Sequence, residues 1–151
     1  MSERHGNRLL IVAGAAAADV AELPADMRSL IDGASEILVV TPVLPTQLHL
    51  WTDDIDGARR EADARLDAIL GDLDVITSES QQTRGVIGDD VPLTAFDDAV
   101  RTFSPDRILI ALRSGDHAAW QEQNLVQMVR ERFGLPTIVF EIDREGRITP
   151  A

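Results

Sequence analysis

The chain has 151 residues and a formal net charge of −12, with a pI near 4.5. That length supports one domain with a proper core and is short for two. The acid excess excludes the basic clusters that binding to nucleic acid or anionic membranes depends on, so neither is expected as a partner.

There are no cysteines, which removes disulfides, thiolate metal sites and a cysteine nucleophile. All fourteen cationic side chains are arginine, a bias that fits a GC-rich genome and a salt-adapted proteome equally well. The first residues, Met1 to Asn7, lack an apolar segment ahead of a cleavage site, and no stretch is long enough to span a bilayer. The expectation is a soluble, cytoplasmic protein: residues 1–7 disordered, residues 8–143 one α/β domain, and residues 144–151 a polar tail that frays.

Residues 8–13, Arg-Leu-Leu-Ile-Val-Ala, read as a strand of the kind buried on both faces, ended by Gly14 and the alanines that follow it. After Leu23 and Pro24, the spacing of Met27, Leu30, Ile31 and Ala34 predicts a helix that Gly33 weakens at its end. Residues 36–41 form the second strand, and Pro42 and Pro45 force an extended exit from it. A long helix follows Asp56, with Ala58, Ala62, Leu66, Ile69 and Leu70 on one face. Residues 73–78 are expected as a weak third strand at a sheet edge, and residues 85–90 as a turn-rich connection.

Pro92 suits the first turn of a helix whose stripe is Leu93, Phe96, Ala99, Val100 and Phe103, stopped by Ser104 and Pro105. Residues 106–112 are a nearly continuous apolar run, expected as a central parallel strand. A glycine-bearing loop, Arg113-Ser114-Gly115-Asp116-His117, is expected to lead into a last helix carrying Leu125, Val126, Val129 and Phe133 and ending at Gly134. Residues 137–142 make the fifth strand, at an edge. Five strands alternating with helices imply a parallel sheet with helices on both faces.

Several features resemble the universal stress protein family. They are the first strand ending in small residues, Gly85-Val86-Ile87-Gly88-Asp89-Asp90 before a helix, and the ending Phe133-Gly134-Leu135-Pro136-Thr137-Ile138-Val139. The run Leu48-His49-Leu50-Trp51-Thr52-Asp53-Asp54 and the phrase Ala99-Val100-Arg101-Thr102-Phe103-Ser104-Pro105-Asp106 resemble a poorly characterised bacterial branch of it. The resemblance implies an adenine-nucleotide α-hydrolase-like sandwich, strand order 3-2-1-4-5, and a homodimer. Pairing of two copies through the C-terminal edge strand would cover its exposed ladder.

With that order, the strands ending at Ala13 and Leu112 part at a topological switch point, where ligands meet such folds. The candidate crevice residues are Ala13, Gly14, Thr41, Arg113, Ser114, Gly115 and His117. ATP-binding members carry an acid at the end of the first strand and a Gly-x-x-Gly with a second glycine turn after the fourth. Here Ala13-Gly14 has no acid, and only Gly115 follows Leu112, with Glu122-Gln123-Asn124 where the second turn would fall. The expectation is therefore a non-catalytic ligand-sensing or protein-interaction module in stress response, without cofactor. The alternative is a stress protein that binds ATP or AMP through an altered phosphate loop, with at most slow hydrolysis. An α-hydrolase-like enzyme would need a Ser-Gly-Gly-type loop after the first strand, which residues 14–18 lack.

Ser114, Asp116 and His117 carry the names of a hydrolase triad, but three residues of one short loop cannot place an acid behind the base. They read as a helix start with His117 partly exposed, where Arg113, Ser114 and the following N–H groups suit a small anion. Asp53, Asp54 and Asp56 before Gly57 resemble a calcium loop that fails at both ends, and they read as a solvated helix start. His5, His49 and His117 have no metal-ligand spacing. Trp51 and Trp120 read as core cover before they read as stacking platforms.

Overall fold

In a computed structural model, residues 7–42, 55–88, 92–122 and 124–151 are described. They build one six-stranded sheet in the order β3-β2-β1-β4-β5-β6. Its strands are β1 (Asn7–Ala13), β2 (Ala34–Pro42), β3 (Gln82–Gly88), β4 (Arg107–Arg113), β5 (Thr137–Ile142) and β6 (Ile148–Pro150). The first five are parallel, in the expected order, and β6 joins antiparallel. The helices are α1 (Ala25–Asp32), α2 (Ile55–Ile76), α3 (Pro92–Phe103), α4 (Ser114–Glu122) and α5 (Leu125–Phe133). Among the described residues, no helix is long and apolar enough to cross a membrane.

Strand parity divides the interior in two, because successive side chains of a strand point to opposite faces. Leu9, Ile11 and Ala13 of β1, with Leu109 and Ala111 of β4, pack against Met27 and Ile31 of α1 and Leu66, Ile69 and Leu73 of α2. On the other face Leu10, Val12, Ile108, Ile110 and Leu112 meet Phe96 and Phe103 of α3, Trp120 of α4 and Val129 of α5. Trp120 is buried with its ring edge-on to Phe96, the centroids 5.9 Å apart, so it covers the core. Trp51, the calcium-like acids Asp53 and Asp54, His5, His49, and Gln123 of the second-glycine position lie outside the described residues.

The third strand is not where it was expected. Residues 73–76 continue α2, because Leu73 falls one turn after Ile69 and two after Leu66, on the same buried stripe. Residues 82–88 are β3, which takes in residues 85–88 of the expected turn-rich connection. Thr83, Gly85 and Ile87 are half-buried and alternate with exposed Gln82, Arg84 and Val86, as an edge strand covered on one face requires. The Gln81 amide fixes where β3 begins: its Nε2 donates to the carbonyls of Ile31 and Ala34, each at 2.7 Å. Gly85 is needed for the close approach of α2, since a Cβ there would lie 2.7 Å from Leu66 Cδ1 and 2.9 Å from Leu70 Cδ1.

Two further expectations are corrected at the C-terminal half. The last helix is two, α4 and α5, separated by Asn124 in the left-handed conformation, which asparagine tolerates better than most residues. The tail does not fray. Asp143 Oδ1 accepts from the N–H groups of Glu145 and Arg147, which turns the chain so that Ile148, Thr149 and Pro150 pair with Ile142, Glu141 and Phe140. The edge ladder of β5 is thereby occupied over its C-terminal half, and the Ala151 N–H reaches the Val139 carbonyl.

This hairpin docks on the loop after β1, where the Ala18 N–H donates to the Gly146 carbonyl at 3.0 Å. Gly146 has φ +82°, and a Cβ on it would meet Ala18 N at 2.8 Å and Ala18 Cβ at 2.7 Å. Gly146→Ala is therefore expected to cost about 2 kcal/mol or more, from left-handed strain and a backbone clash. Gly85→Ala meets the side chains of Leu66 and Leu70, which can shift where the Ala18 backbone cannot, and should cost about 1 kcal/mol, less than Gly146→Ala. Urea denaturation of both variants checks the order.

Candidate functional site

The carboxyl ends of β1 and β4 adjoin, with the Gly14 N–H donating to the Ala111 carbonyl at 2.9 Å. The switch point thus lies between these strands, as the order 3-2-1-4-5 requires. The glycine-bearing loop after β4 does not exist as a loop: β4 ends at Arg113 and α4 begins at Ser114. Gly115 lies in its first turn without a positive φ, so nothing local demands a glycine that interrupts the helix.

Parity sorts the seven candidate residues. Ala13, Thr41 and Arg113 belong to the rows that face α1 and α2, following Ile11, Val39 and Ala111 by two positions each. Gly14 is buried at the tip, and Ser114 and Gly115 are exposed in the first turn of α4. His117 is separated from them. It is 8% exposed, not partly open as expected, and its Nδ1 lies 3.5 Å from Glu141 Oε1. Glu141 alternates with Phe140 and Ile142, so that pair is on the opposite face of the sheet.

The α2 side carries a residue the sequence reading did not single out. Arg65 projects from α2 with Nε and Nη2 shielded from solvent and without an acceptor among the described residues. Burial lowers its pKa first of all. The Glu61 carboxylate opposes that shift, the Arg113 guanidinium adds to it, and the Asp116 carboxylate opposes it. Arg65 is therefore within electrostatic reach of both the end of β4 and the start of α4. Thr41, 0% exposed, also has a hydroxyl with no partner among the described residues, as does Thr83 on the same face.

The edge formed by Nε and Nη2 matches two oxygens of an oxyanion. Arg132 shows this in the same molecule, its Nε and Nη2 reaching Asp97 Oδ1 and Oδ2 at 2.8 and 3.0 Å. Arg65 was foreshadowed by spacing alone. It stands three residues after Ala62 and four before Ile69, on the stripe that α2 turns to the sheet.

Between α1, α2 and the sheet is an apolar cavity of about 60 Å³, which Arg65, Arg113 and Thr41 do not line. Ala13 and Ala111 line it from the sheet, Ala15, Ala16 and Ala17 from the loop after β1, and Ile69 from α2. Its one acidic wall residue is Asp72, whose carboxyl is pushed above its ordinary 3.8 by burial. Among the described residues, no three His, Cys, Asp or Glu side chains gather as a metal site would need. No protein-family model matches the chain, and neither does any curated protein sequence.

A carboxyl whose folded pKa is raised is a liability above that pKa, because the folded state then holds a charge it disfavours. The penalty disappears below the unfolded value of 3.8, where both states are protonated. Asp72→Asn is thus expected to raise the melting temperature at pH 7, the gain shrinking to nothing as pH falls below about 4. Thermal melts of both proteins from pH 3 to 8 check this, and a gain independent of pH would contradict it.

Proposed function

We propose that this chain is a cytoplasmic ligand-sensing module of the universal-stress-protein-like kind, which binds a small anion at the carboxyl ends of β1 and β4 on the α2 side of the sheet. The observation that carries this reading is Arg65, a guanidinium whose paired Nε–H and Nη2–H groups lack an acceptor among the described residues while Arg113 lies within its field. Desolvating a cation costs free energy unless hydrogen bonds and opposite charge offset it. An oxyanion on that edge does both. The fully buried Thr41 hydroxyl on the same face adds a neutral donor or acceptor.

Binding, not turnover, is what such a site supports. Two guanidiniums, a hydroxyl and the first turn of α4 hold negative charge but move no proton at neutral pH. ATP or AMP is the second reading, favoured by the same two cations. Against it, the direct passage from Arg113 into α4 leaves no loop after β4 to wrap a phosphate chain. A homodimer through the C-terminal sheet edge belongs to the proposal as well. It would use the edge of β6 together with Thr137 and Ile138, the latter 38% exposed.

Calorimetric titrations with inorganic phosphate, AMP and ATP at low ionic strength test the reading. Phosphate is expected to bind, and to bind at least tenfold more weakly to Arg65→Gln, since a hydrogen-bonded charge contributes about 1.5–3 kcal/mol. Equal affinity in the variant would contradict the assignment of Arg65. AMP or ATP binding far above phosphate would favour the nucleotide reading.

A further inference from the structure

We propose that the apolar cavity between α1, α2 and the sheet binds a small uncharged molecule, a hydrocarbon of about two or three carbons or an apolar species of that size. This site is separate from the proposed anion contact, because neither Arg65 nor Arg113 nor Thr41 lines it.

The floor is made by the two central strands in register, Ile11 beside Leu109 and Ala13 beside Ala111. Met27 and Ile69 wall it from α1 and α2. The segment between β1 and α1 contributes a further side through Ala16 and Val20, and Ile148 of the C-terminal hairpin adds to the lining. The two faces of the sheet are filled differently. On the α3 side the rings of Phe96, Phe103 and Trp120 pack against the central strands, whereas on this side alanines end the rows and leave volume.

The lining fixes the class of ligand. Almost no polar atom faces the cavity, and every lining residue but Asp72 is apolar. A water molecule needs about two to four polar partners, and it does not find them there. The lining atoms therefore lack contacts on one side, which an apolar occupant restores through dispersion. A charged or hydroxylated ligand would lose its hydration without replacement. Asp72 does not alter this, since its half-buried carboxyl is itself disfavoured as an anion by desolvation.

Volume fixes the size. An apolar cavity of about 150 Å³ takes benzene, which is about 25 Å³ for each carbon. On that scale 60 Å³ holds about two or three heavy atoms. Ligands this small reach dissociation constants no tighter than about millimolar. The way in is the segment after β1. Its residues from Ala16 to Val20 are half-buried or exposed, and its Ala18 N–H is tied to the Gly146 carbonyl of the hairpin. Lifting this segment opens the cavity while β1 and β4 keep their ladder.

The test is methyl NMR of the full chain under xenon, propane and benzene, with propylammonium and propionate as charged counterparts of propane. Xenon and propane are expected to move the methyl signals of Ile11, Ile69 and Ile148, saturating in the millimolar range. The signals of Ile108 and Ile110, on the opposite face, should stay in place. Benzene should bind about tenfold or more weakly than propane, because it overfills the space. The charged compounds should leave the cavity signals unmoved. Ala16→Leu, at a half-buried position of the lining, should fill the cavity and abolish the response to propane. If that variant does not fold, the ligand series on the unaltered protein decides. No response to xenon or propane would overturn the proposal. So would an equal response on both faces, benzene as tight as propane, a charged compound as tight as propane, or an unchanged response in folded Ala16→Leu.

Discussion

The structure depends on β1 being paired on both sides and covered on both faces. Residues Leu9 to Ala13 are all buried and register with β4, and Leu9 to Val12 also register with β2 on the other side. A strand so placed must have every backbone group in a ladder and every side chain in a core. Parity then gives α1 and α2 one core and α3, α4 and α5 the other. The chain also leaves β1 and β4 in opposite directions, and this opens the switch point at their carboxyl ends.

What lies at that point follows from side-chain size and charge. Small residues, Ala13 and Ala111, end the α2-facing rows of the two central strands, and alanines continue the wall in the loop beyond. An apolar cavity is the consequence. Directly past it the rows change to Arg113 and to the buried threonine Thr41, while α2 contributes Arg65. In a low-dielectric setting a guanidinium whose paired edge faces no acceptor among the described residues is costly, which is what motivates the proposed anion contact. Arg28, Arg101 and Arg130 are among the arginines held by carboxylates or carbonyls. Arg132 is held by Asp97, and Arg8 by Glu36 and the Phe103 carbonyl.

The order of the parallel strands was legible because four of the five are apolar runs with turn or helix signals between them. Met27, Phe96 and Phe103 likewise announced their helices by spacing. The third strand was not legible. Leu73 continues the α2 stripe as readily as it begins a strand, and Gly85 reads as a turn although its role is to admit Leu66 and Leu70. The start of α4 was hidden for a similar reason, since Gly115 suggests a loop and instead occupies a helical turn. The C-terminal hairpin depends on Asp143 capping its own turn and on Gly146 meeting Ala18, a contact between distant segments that no local pattern records. Of the candidate residues, Ala13, Thr41 and Arg113 fall on the α2-facing rows, a placement that strand order and parity give. His117 was drawn to the wrong face because a residue in an expected loop has no parity. Arg65 was missed because a charged residue on an apolar stripe reads as the flank of a helix until the fold shows what it faces.

The central claim is that the Arg65 guanidinium edge is the anion contact of this protein. The most direct measurement is nitrogen–proton NMR of the arginine Nε–Hε groups during titration with inorganic phosphate. The account predicts that the Arg65 signal moves and saturates, while that of Arg132, already held by Asp97 at 2.8 Å, stays in place. An unmoved Arg65 signal, or equal movement of both, would contradict it.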